Sequence, residues 1–147
     1  MNHLFSYRFE VRFRDCDAMG HVNNAVYLTY LEQARFAHWR ALGGGDGEAA
    51  ALLGNGRASA PDGVPGVILA RVEIDYRKPA TYGDMLEVKL GIAGFGRTSL
   101  TYEYEIVAAD GTLVAAARTV VVSFDYRAGK PVAIPDSLKE WLGRKLV

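Results

Sequence analysis

The sequence predicts an α+β protein: an antiparallel sheet of about five strands wrapped around one long central helix. Two observations lead to this class. Several segments alternate apolar and polar residues with period two, which is the pattern of half-buried strands. One segment, Ala25 to Leu42, instead repeats its apolar residues at helical spacing. In the sequence, one predicted strand precedes this helix and several follow it. This order predicts one sheet that packs against one helix.

The first strand is predicted from Tyr7 to Arg14, where apolar and charged residues alternate. The helix follows at about Ala25 to Leu42, and Asn23 or Asn24 is expected to be its N-cap, because an Asn side chain can accept a free N–H of the first turn. The apolar stripe of the helix is so broad that most of its surface must be enclosed. The three glycines from Gly43 to Gly45 are expected to end it.

The stretch from Gly43 to Gly66 is rich in Gly, Ala and Asp and is predicted to be a loop, with a short helix near Glu48 to Leu53. The later strands are predicted at Arg71 to Arg77, Leu86 to Ile92, Leu100 to Ile106 and Thr112 to Phe124. Glycine turns separate the last three, which therefore form an antiparallel meander. A short helix is predicted from Pro135 to Trp141.

Composition limits the function before any motif is considered. The chain has 147 residues, half of them apolar, which is one domain of ordinary size with enough apolar surface for a core. Its 17 basic and 17 acidic residues leave no net charge, so we expect no nucleic acid and no anionic membrane surface as partner. No targeting segment or membrane span is expected, and Cys16 is the single cysteine. We expect a cytoplasmic location.

The most informative segment lies directly before the helix. A short polar loop carries Asp15, Asp17 and His21 and is followed by the helix start at Asn23 and Asn24. The unbonded N–H groups of a helix start carry partial positive charge, which suits an anion or a developing oxyanion. A carboxylate, an imidazole and a site that can polarise a carbonyl are thus expected within a few residues of one another.

From Asp15 to Tyr27 the sequence reads Asp-x-Asp-x-x-Gly-His-Val-Asn-Asn-x-x-Tyr, and Tyr-Leu-Glu-Gln-Ala-Arg follows from Tyr30 to Arg35. In this pattern the chain resembles the hotdog-fold acyl-CoA thioesterases of the 4-hydroxybenzoyl-CoA thioesterase-like family. Weaker agreement is found at Asp75 to Ala80, Gly83-Asp84 and Gly96 to Ser99. The resemblance covers nearly the whole chain and implies a single hotdog domain over residues 1–147 that hydrolyses an acyl-CoA to a free acid and coenzyme A.

The resemblance also implies roles for individual residues. Asp17 would be the catalytic carboxylate, acting either as a base for water or as a nucleophile that forms an anhydride. The backbone N–H of Asn24 would hold the thioester carbonyl, and His21 would assist or only form a hydrogen bond within the loop. Asp17 also has a structural alternative, because its side chain could form an Asx-turn. Asp15 is expected to be structural, with its side chain bonded to nearby backbone N–H groups.

Substrate binding is expected at two further places. By the resemblance, Arg97, Thr98 and Ser99 would contact coenzyme A, although a turn of this composition is often only solvated. Tyr27 could line the acyl pocket or simply pack in the core. We expect no cofactor and no metal, because a second cluster of ligands is missing, and we expect Cys16 to be inert.

A small sheet with an exposed edge and an uncovered apolar helix side needs a partner, so we expect a homodimer or homotetramer. By the resemblance, its active site would combine Asp17 of one chain with the Arg97 region of the other. Hydrolysis of an acyl-carrier-protein thioester, a hydratase reaction, and a non-catalytic acyl-binding role remain as alternatives. The sequence does not reveal the acyl group.

Overall fold

The computed structural model describes residues 1–42 and 66–146 of this chain. Within them the chain forms six strands, a short 3-10 turn at Phe13–Asp15 and two helices. The strands are β1 (His3–Glu10), β2 (Gly66–Tyr76), β3 (Met85–Phe95), β4 (Ser99–Ala108), β5 (Leu113–Asp125) and β6 (Lys130–Pro131). The helices are α1 (Val26–Ala41) and α2 (Asp136–Leu142).

All strands belong to one antiparallel sheet with the order β1-β3-β4-β5-β2, and β6 pairs with the end of β5. The consecutive strands β3, β4 and β5 are neighbours, so the predicted meander is confirmed. Glu10 at the end of β1 pairs with Met85 at the start of β3. The chain therefore leaves β1 beside the turn that precedes β3.

Helix α1 packs its buried side against the sheet. The indole Nε1 of Trp39 donates a hydrogen bond to the hydroxyl of Tyr102 at 2.7 Å, and the guanidinium of Arg35 donates one to the hydroxyl of Tyr104 at 3.0 Å. On the other side of α1, Leu28 is 40% exposed and Phe36 is 36% exposed. The helix is thus enclosed on one side by its own sheet, and part of its apolar surface stays uncovered.

The α+β class and the antiparallel sheet are confirmed, and the described chain holds the short helix α2 in addition to the long helix α1. The predicted helix boundaries at Ala25 and Leu42 are each one residue too wide. Helix α2 lies where the second, shorter helix was predicted. The predicted helix stop at Gly43–Gly45 and the predicted short helix near Glu48–Leu53 lie outside the described residues. Neither described helix is both long and apolar enough to cross a membrane.

The prediction that the first strand continues to Arg14 is wrong, because β1 ends at Glu10. The next residue, Val11, donates its N–H to the carbonyl of Asp84 at 2.8 Å and accepts the N–H of Gly83 at 3.0 Å. After this contact the chain turns away from the sheet, and Phe13 is 79% exposed. The apolar alternation therefore continues past the end of the strand, where Val11 is still buried but Phe13 is not.

Candidate active site

The residues before α1 form a small antiparallel hairpin rather than an open loop. The N–H of Asn23 donates to the carbonyl of Asp15, and the N–H of Asp17 donates to the carbonyl of His21, both at 2.9 Å. Gly20 adopts a φ of 83° in the turn, a conformation that glycine tolerates best. Cys16 and Val22 form the antiparallel bridge of this hairpin, so the next residues toward the turn, Asp17 and His21, lie opposite each other.

The second arm of the hairpin is also held from its outer side. The N–H of Val22 donates to the carbonyl of Ala80 at 2.8 Å, and His21 pairs with Thr81 through an antiparallel bridge. Thr81 is in turn fixed by Asp84, whose carboxylate accepts the Thr81 N–H at 2.9 Å. The backbone of His21 is therefore held between two segments of the chain.

Asp15 connects the hairpin to the rest of the molecule. Its side chain is buried and accepts the backbone N–H of Arg12 at 3.0 Å, the Arg12 guanidinium at 3.1 Å and the hydroxyl of Tyr30 on α1 at 2.9 Å. Burial raises the pKa of Asp15, but the hydrogen bonds from Arg12 and Tyr30 outweigh it and hold the pKa below its usual value. The structural role predicted for Asp15 is confirmed.

Asp17 uses only one carboxylate oxygen within the hairpin. Its Oδ1 accepts the N–H of Met19 at 2.9 Å, which is the Asx-turn considered as a structural alternative. Its Oδ2 has no hydrogen-bond partner in the part of the chain that the structure describes, and the residue is exposed. The turn and a chemical role thus use different oxygens and are compatible.

His21 is exposed, and its ring makes no hydrogen bond to another residue within the described segments. Its position is set by the backbone alone, opposite Asp17. The imidazole can therefore turn toward Asp17 or toward a bound molecule without breaking an existing side-chain contact.

The start of α1 differs from the predicted arrangement. The helix begins at Val26, its N-cap is Ala25, and Ala25 makes no side-chain capping bond, so the prediction of Asn23 or Asn24 as N-cap is wrong. The side chain of Asn23 instead accepts the N–H of Ala25 at 2.9 Å, and its carbonyl accepts the N–H of Val26 at 2.9 Å. These bonds form a turn just before the helix, because Asn favours such local bonds.

One donor in this turn stays open. The N–H groups of Asn23, Ala25 and Val26 are all hydrogen-bonded, whereas that of Asn24 has no acceptor among residues 1–42 and 66–146. Asn24 is exposed, and its carbonyl accepts the hydroxyl of Tyr76 at 2.8 Å. The N–H of Asn24 is therefore available to an external acceptor at the positive end of α1.

Tyr27 lies in the core. It is 2% exposed, and its ring packs edge-on against Tyr30 and Tyr76 at centroid distances of 5.7 and 5.2 Å. Burial raises the pKa of the Tyr27 hydroxyl. The structure therefore shows the packing role that was one of the two alternatives, and a contact with an acyl group stays a prediction.

Arg97, Thr98 and Ser99 lie at the far end of the sheet from the hairpin. Arg97 and Thr98 lie in the turn between β3 and β4, and Ser99 is the first residue of β4. The N–H of Gly96 donates to the Ser99 carbonyl at 2.9 Å, and Arg97 is exposed. The hairpin lies beside the opposite end of β3, whose 11 residues span roughly 35 Å at about 3.3 Å per residue. One chain brings Asp17, His21 and Asn24 together, but not the predicted coenzyme A contacts.

Cys16 is half-buried, packs against the core and places its thiol 3.9 Å from the carbonyl of Arg12. Among the described residues, no group of three or more His, Cys, Asp and Glu side chains is arranged to hold a metal ion.

Two buried polar residues of α1, Arg35 and His38, have no functional role in the sequence-based prediction. Arg35 is 5% exposed and reaches Tyr104, whose hydroxyl lies 2.7 Å from that of Thr119. His38 is 0% exposed, packs beside Phe5, and neither ring nitrogen has a partner in the described chain. Burial lowers the pKa of His38 to about 4. Helical spacing from the apolar stripe would have placed both positions on the buried side.

Comparison with known proteins gives one consistent result. The model of the Thioesterase-like superfamily matches residues 11–142. Acyl-CoA thioester hydrolase YbgC of Escherichia coli O157:H7 is 31% identical over 135 residues, which are 92% of this chain and 92% of that protein. The 1,4-dihydroxy-2-naphthoyl-CoA hydrolase of Synechococcus elongatus is 31% identical over 143 residues, 95% of this chain and 96% of the relative.

A solved structure agrees with these matches. The thioesterase from Thermus thermophilus, crystallised with coenzyme A and Zn, has a TM-score of 0.73 and 32% sequence identity. The match covers 93% of this chain and 95% of that one. The similarity therefore extends to the backbone of almost the whole chain.

We expect the substitution Asp15→Asn to lower the free energy of unfolding by roughly 1.5–3 kcal/mol at pH 7, because three donors lose a charged, buried acceptor. The folded pKa of Asp15 lies below the unfolded value of 3.8, so this stabilisation is present above pH 3.8 and is lost as the pH falls through the folded pKa. Urea unfolding at pH 7 and pH 3 should show the difference between wild type and variant shrinking in acid.

The matched control is Asp125→Asn, which changes a carboxylate that is less buried than that of Asp15 and that accepts the N–H groups of Arg127 and Ala128. It should cost less than Asp15→Asn at pH 7. Equal stability of wild type and Asp15→Asn at pH 7 would contradict the importance assigned to Asp15.

Proposed function

This chain belongs to the thioesterase-like superfamily and is an acyl-CoA thioester hydrolase, and we propose that Asp17 and the backbone N–H of Asn24 carry out its reaction. Hydrolysis of a thioester needs a group that activates or replaces water and a donor that stabilises the charge developing on the carbonyl oxygen. The hairpin and the helix start supply one of each.

The open N–H of Asn24 is the observation that carries this proposal. Its neighbours in the turn are all bonded, and the partial positive charge of the helix start favours an oxyanion at this point. In the hairpin, Asn23 is hydrogen-bonded to Asp15 on the first arm. Asp17, two residues after Asp15 on that arm, is hydrogen-bonded to His21. A thioester bound with its oxygen at Asn24 would therefore lie close to the free Oδ2 of Asp17.

Two chemical routes are consistent with this arrangement. In one, Asp17 accepts a proton from water, the hydroxide attacks the carbonyl carbon, and the thiolate of coenzyme A leaves. In the other, Asp17 attacks the carbonyl directly, coenzyme A leaves, and water opens the resulting anhydride. Both routes give a free acid and coenzyme A. His21, opposite Asp17, would assist by hydrogen bonding to the carboxylate or to water.

We further propose that the chain works as a hotdog-fold homodimer or homotetramer. Because Asp17 and Arg97 lie at opposite ends of β3, a complete site needs the Arg97 turn of a second chain. Strand β2 forms one edge of the sheet, so its free backbone groups can pair with a strand of another copy. Leu69 in this strand is 42% exposed and adds apolar surface there. The exposed apolar residues of α1 supply further surface for association.

The carrier-protein alternative receives less support than coenzyme A. It calls for a basic surface at the pocket mouth, for which Arg71, Arg77, Lys78 and Arg97 are the candidates. Arg71 is paired with Glu73 and Arg77 with Asp75, which offsets half of that charge. The cytoplasmic location, the single domain over residues 1–147 and the contacts of Arg97, Thr98 and Ser99 with coenzyme A remain predictions.

We expect Asp17→Asn to lower kcat by about 10²–10⁴-fold, because the amide can neither accept a proton nor form the anhydride. The measurement is thiol release from benzoyl-, short-, medium- and long-chain acyl-CoA, which also identifies the preferred acyl group. Asp110→Asn is the matched control, since Asp110 forms the same Asx-turn with Thr112 at 2.9 Å and lies outside the site. Full activity of Asp17→Asn would exclude Asp17 as the catalytic carboxylate.

The variant Asn24→Pro tests the backbone donor, because proline removes this N–H without removing an existing hydrogen bond. Position 24 is the second residue of the turn from Asn23 to Val26, where proline is well tolerated. We expect kcat to fall by about 10²–10³-fold, whereas Asn24→Ala, which keeps the N–H, should remain near wild type. Unchanged kcat in a folded Asn24→Pro variant would rule out the Asn24 N–H as the oxyanion donor.

A further inference from the structure

We infer that Tyr76 is a positioning residue for the oxyanion donor: its hydroxyl holds the backbone at Asn24 so that the Asn24 N–H faces the substrate carbonyl. This inference rests on the role proposed above for that N–H.

The contact joins two distant parts of the sequence. Tyr76 is the last residue of β2, and its hydroxyl donates a 2.8 Å hydrogen bond to the carbonyl of Asn24, 52 residues earlier. The Tyr76 ring packs edge-on against the buried ring of Tyr27, at 5.2 Å between centroids and 78° between planes. Packing against Tyr27 therefore sets the position of the Tyr76 ring, and the hydroxyl lies within hydrogen-bond distance of the Asn24 carbonyl.

The hydrogen bonds around Asn24 show why this contact matters. The peptide before Asn24 is fixed because the Asn23 carbonyl accepts the N–H of Val26. In the peptide after Asn24, the N–H of Ala25 is held by the Asn23 side chain, and the carbonyl is held by Tyr76. Among the described residues, Tyr76 is the one side chain outside the hairpin and α1 that bonds this turn.

The turn itself is exposed, so a hydroxyl bond there contributes little to overall stability. Asn23, Asn24 and Ala25 are all on the surface, and Tyr76 is 46% exposed. The orientation of a donor in an active site is more demanding, since a small displacement from the reacting oxygen weakens transition-state stabilisation strongly. Loss of the Tyr76 hydroxyl should therefore affect kcat far more than stability.

The test compares Tyr76→Phe with Tyr126→Phe. Both variants keep the ring and remove a hydroxyl that donates to a backbone carbonyl, since Tyr126 bonds the carbonyl of Val67 at 3.1 Å. With the fastest acyl-CoA of the panel, Tyr76→Phe should lower kcat roughly tenfold, with KM changed less than about twofold. Tyr126→Phe should leave kcat unchanged, and the two variants should have similar melting temperatures. Full kcat in Tyr76→Phe would overturn the inference.

The variant Asn24→Pro separates this inference from the proposal on which it rests. If Tyr76 acts through the Asn24 N–H, Tyr76→Phe should cause no further loss of kcat once that N–H is removed. A tenfold loss that persists in the Asn24→Pro background would overturn the inference and leave the oxyanion donor intact. An Asn24→Pro variant with full kcat would overturn both.

Discussion

The buried carboxylate of Asp15 is the constraint on which the candidate site depends. It receives hydrogen bonds from Arg12 at the exit of β1 and from Tyr30 on α1, while the backbone carbonyl of Asp15 accepts the N–H of Asn23. A short hairpin alone is not stable in water. Because one buried residue fixes the strand exit, the hairpin and the helix together, Asp17 and Asn24 keep a defined relation to each other.

The same arrangement explains why the exposed residues are free for chemistry. Asp15 accepts the hydrogen bonds that connect the hairpin to Arg12 and Tyr30. Asp17 accepts one hydrogen bond within the hairpin, from Met19, through a single carboxylate oxygen. Asn23 and Tyr76 satisfy the polar groups around Asn24 except its N–H. Asp17, His21 and Asn24 are, however, separated from the Arg97 turn by the length of β3. In the proposed function, the reaction centre lies within one chain, and the predicted coenzyme A contacts come from the Arg97 turn of another.

The sequence predicted what local patterns determine. The long apolar stripe located α1 to within one residue at each end, and period-two alternation located the meander. Contacts between distant segments were not readable: the bond from Tyr76 to Asn24 and the pairing of Val11 with Asp84 arise only when β2 and β3 assemble. For the same reason the alternation past Glu10 misplaced the end of β1. The N-cap was predicted one or two residues too early, because Asn23 bonds a turn that precedes the helix.

A crystal structure of the Asp17→Asn variant with a bound, unhydrolysed acyl-CoA would test the central claim most directly. The decisive quantity is the distance from the thioester carbonyl oxygen to the backbone nitrogen of Asn24. We expect it to be about 3 Å, the distance of an oxyanion-hole hydrogen bond. A carbonyl oxygen that points away from the start of α1, or that bonds another donor instead, would contradict the account.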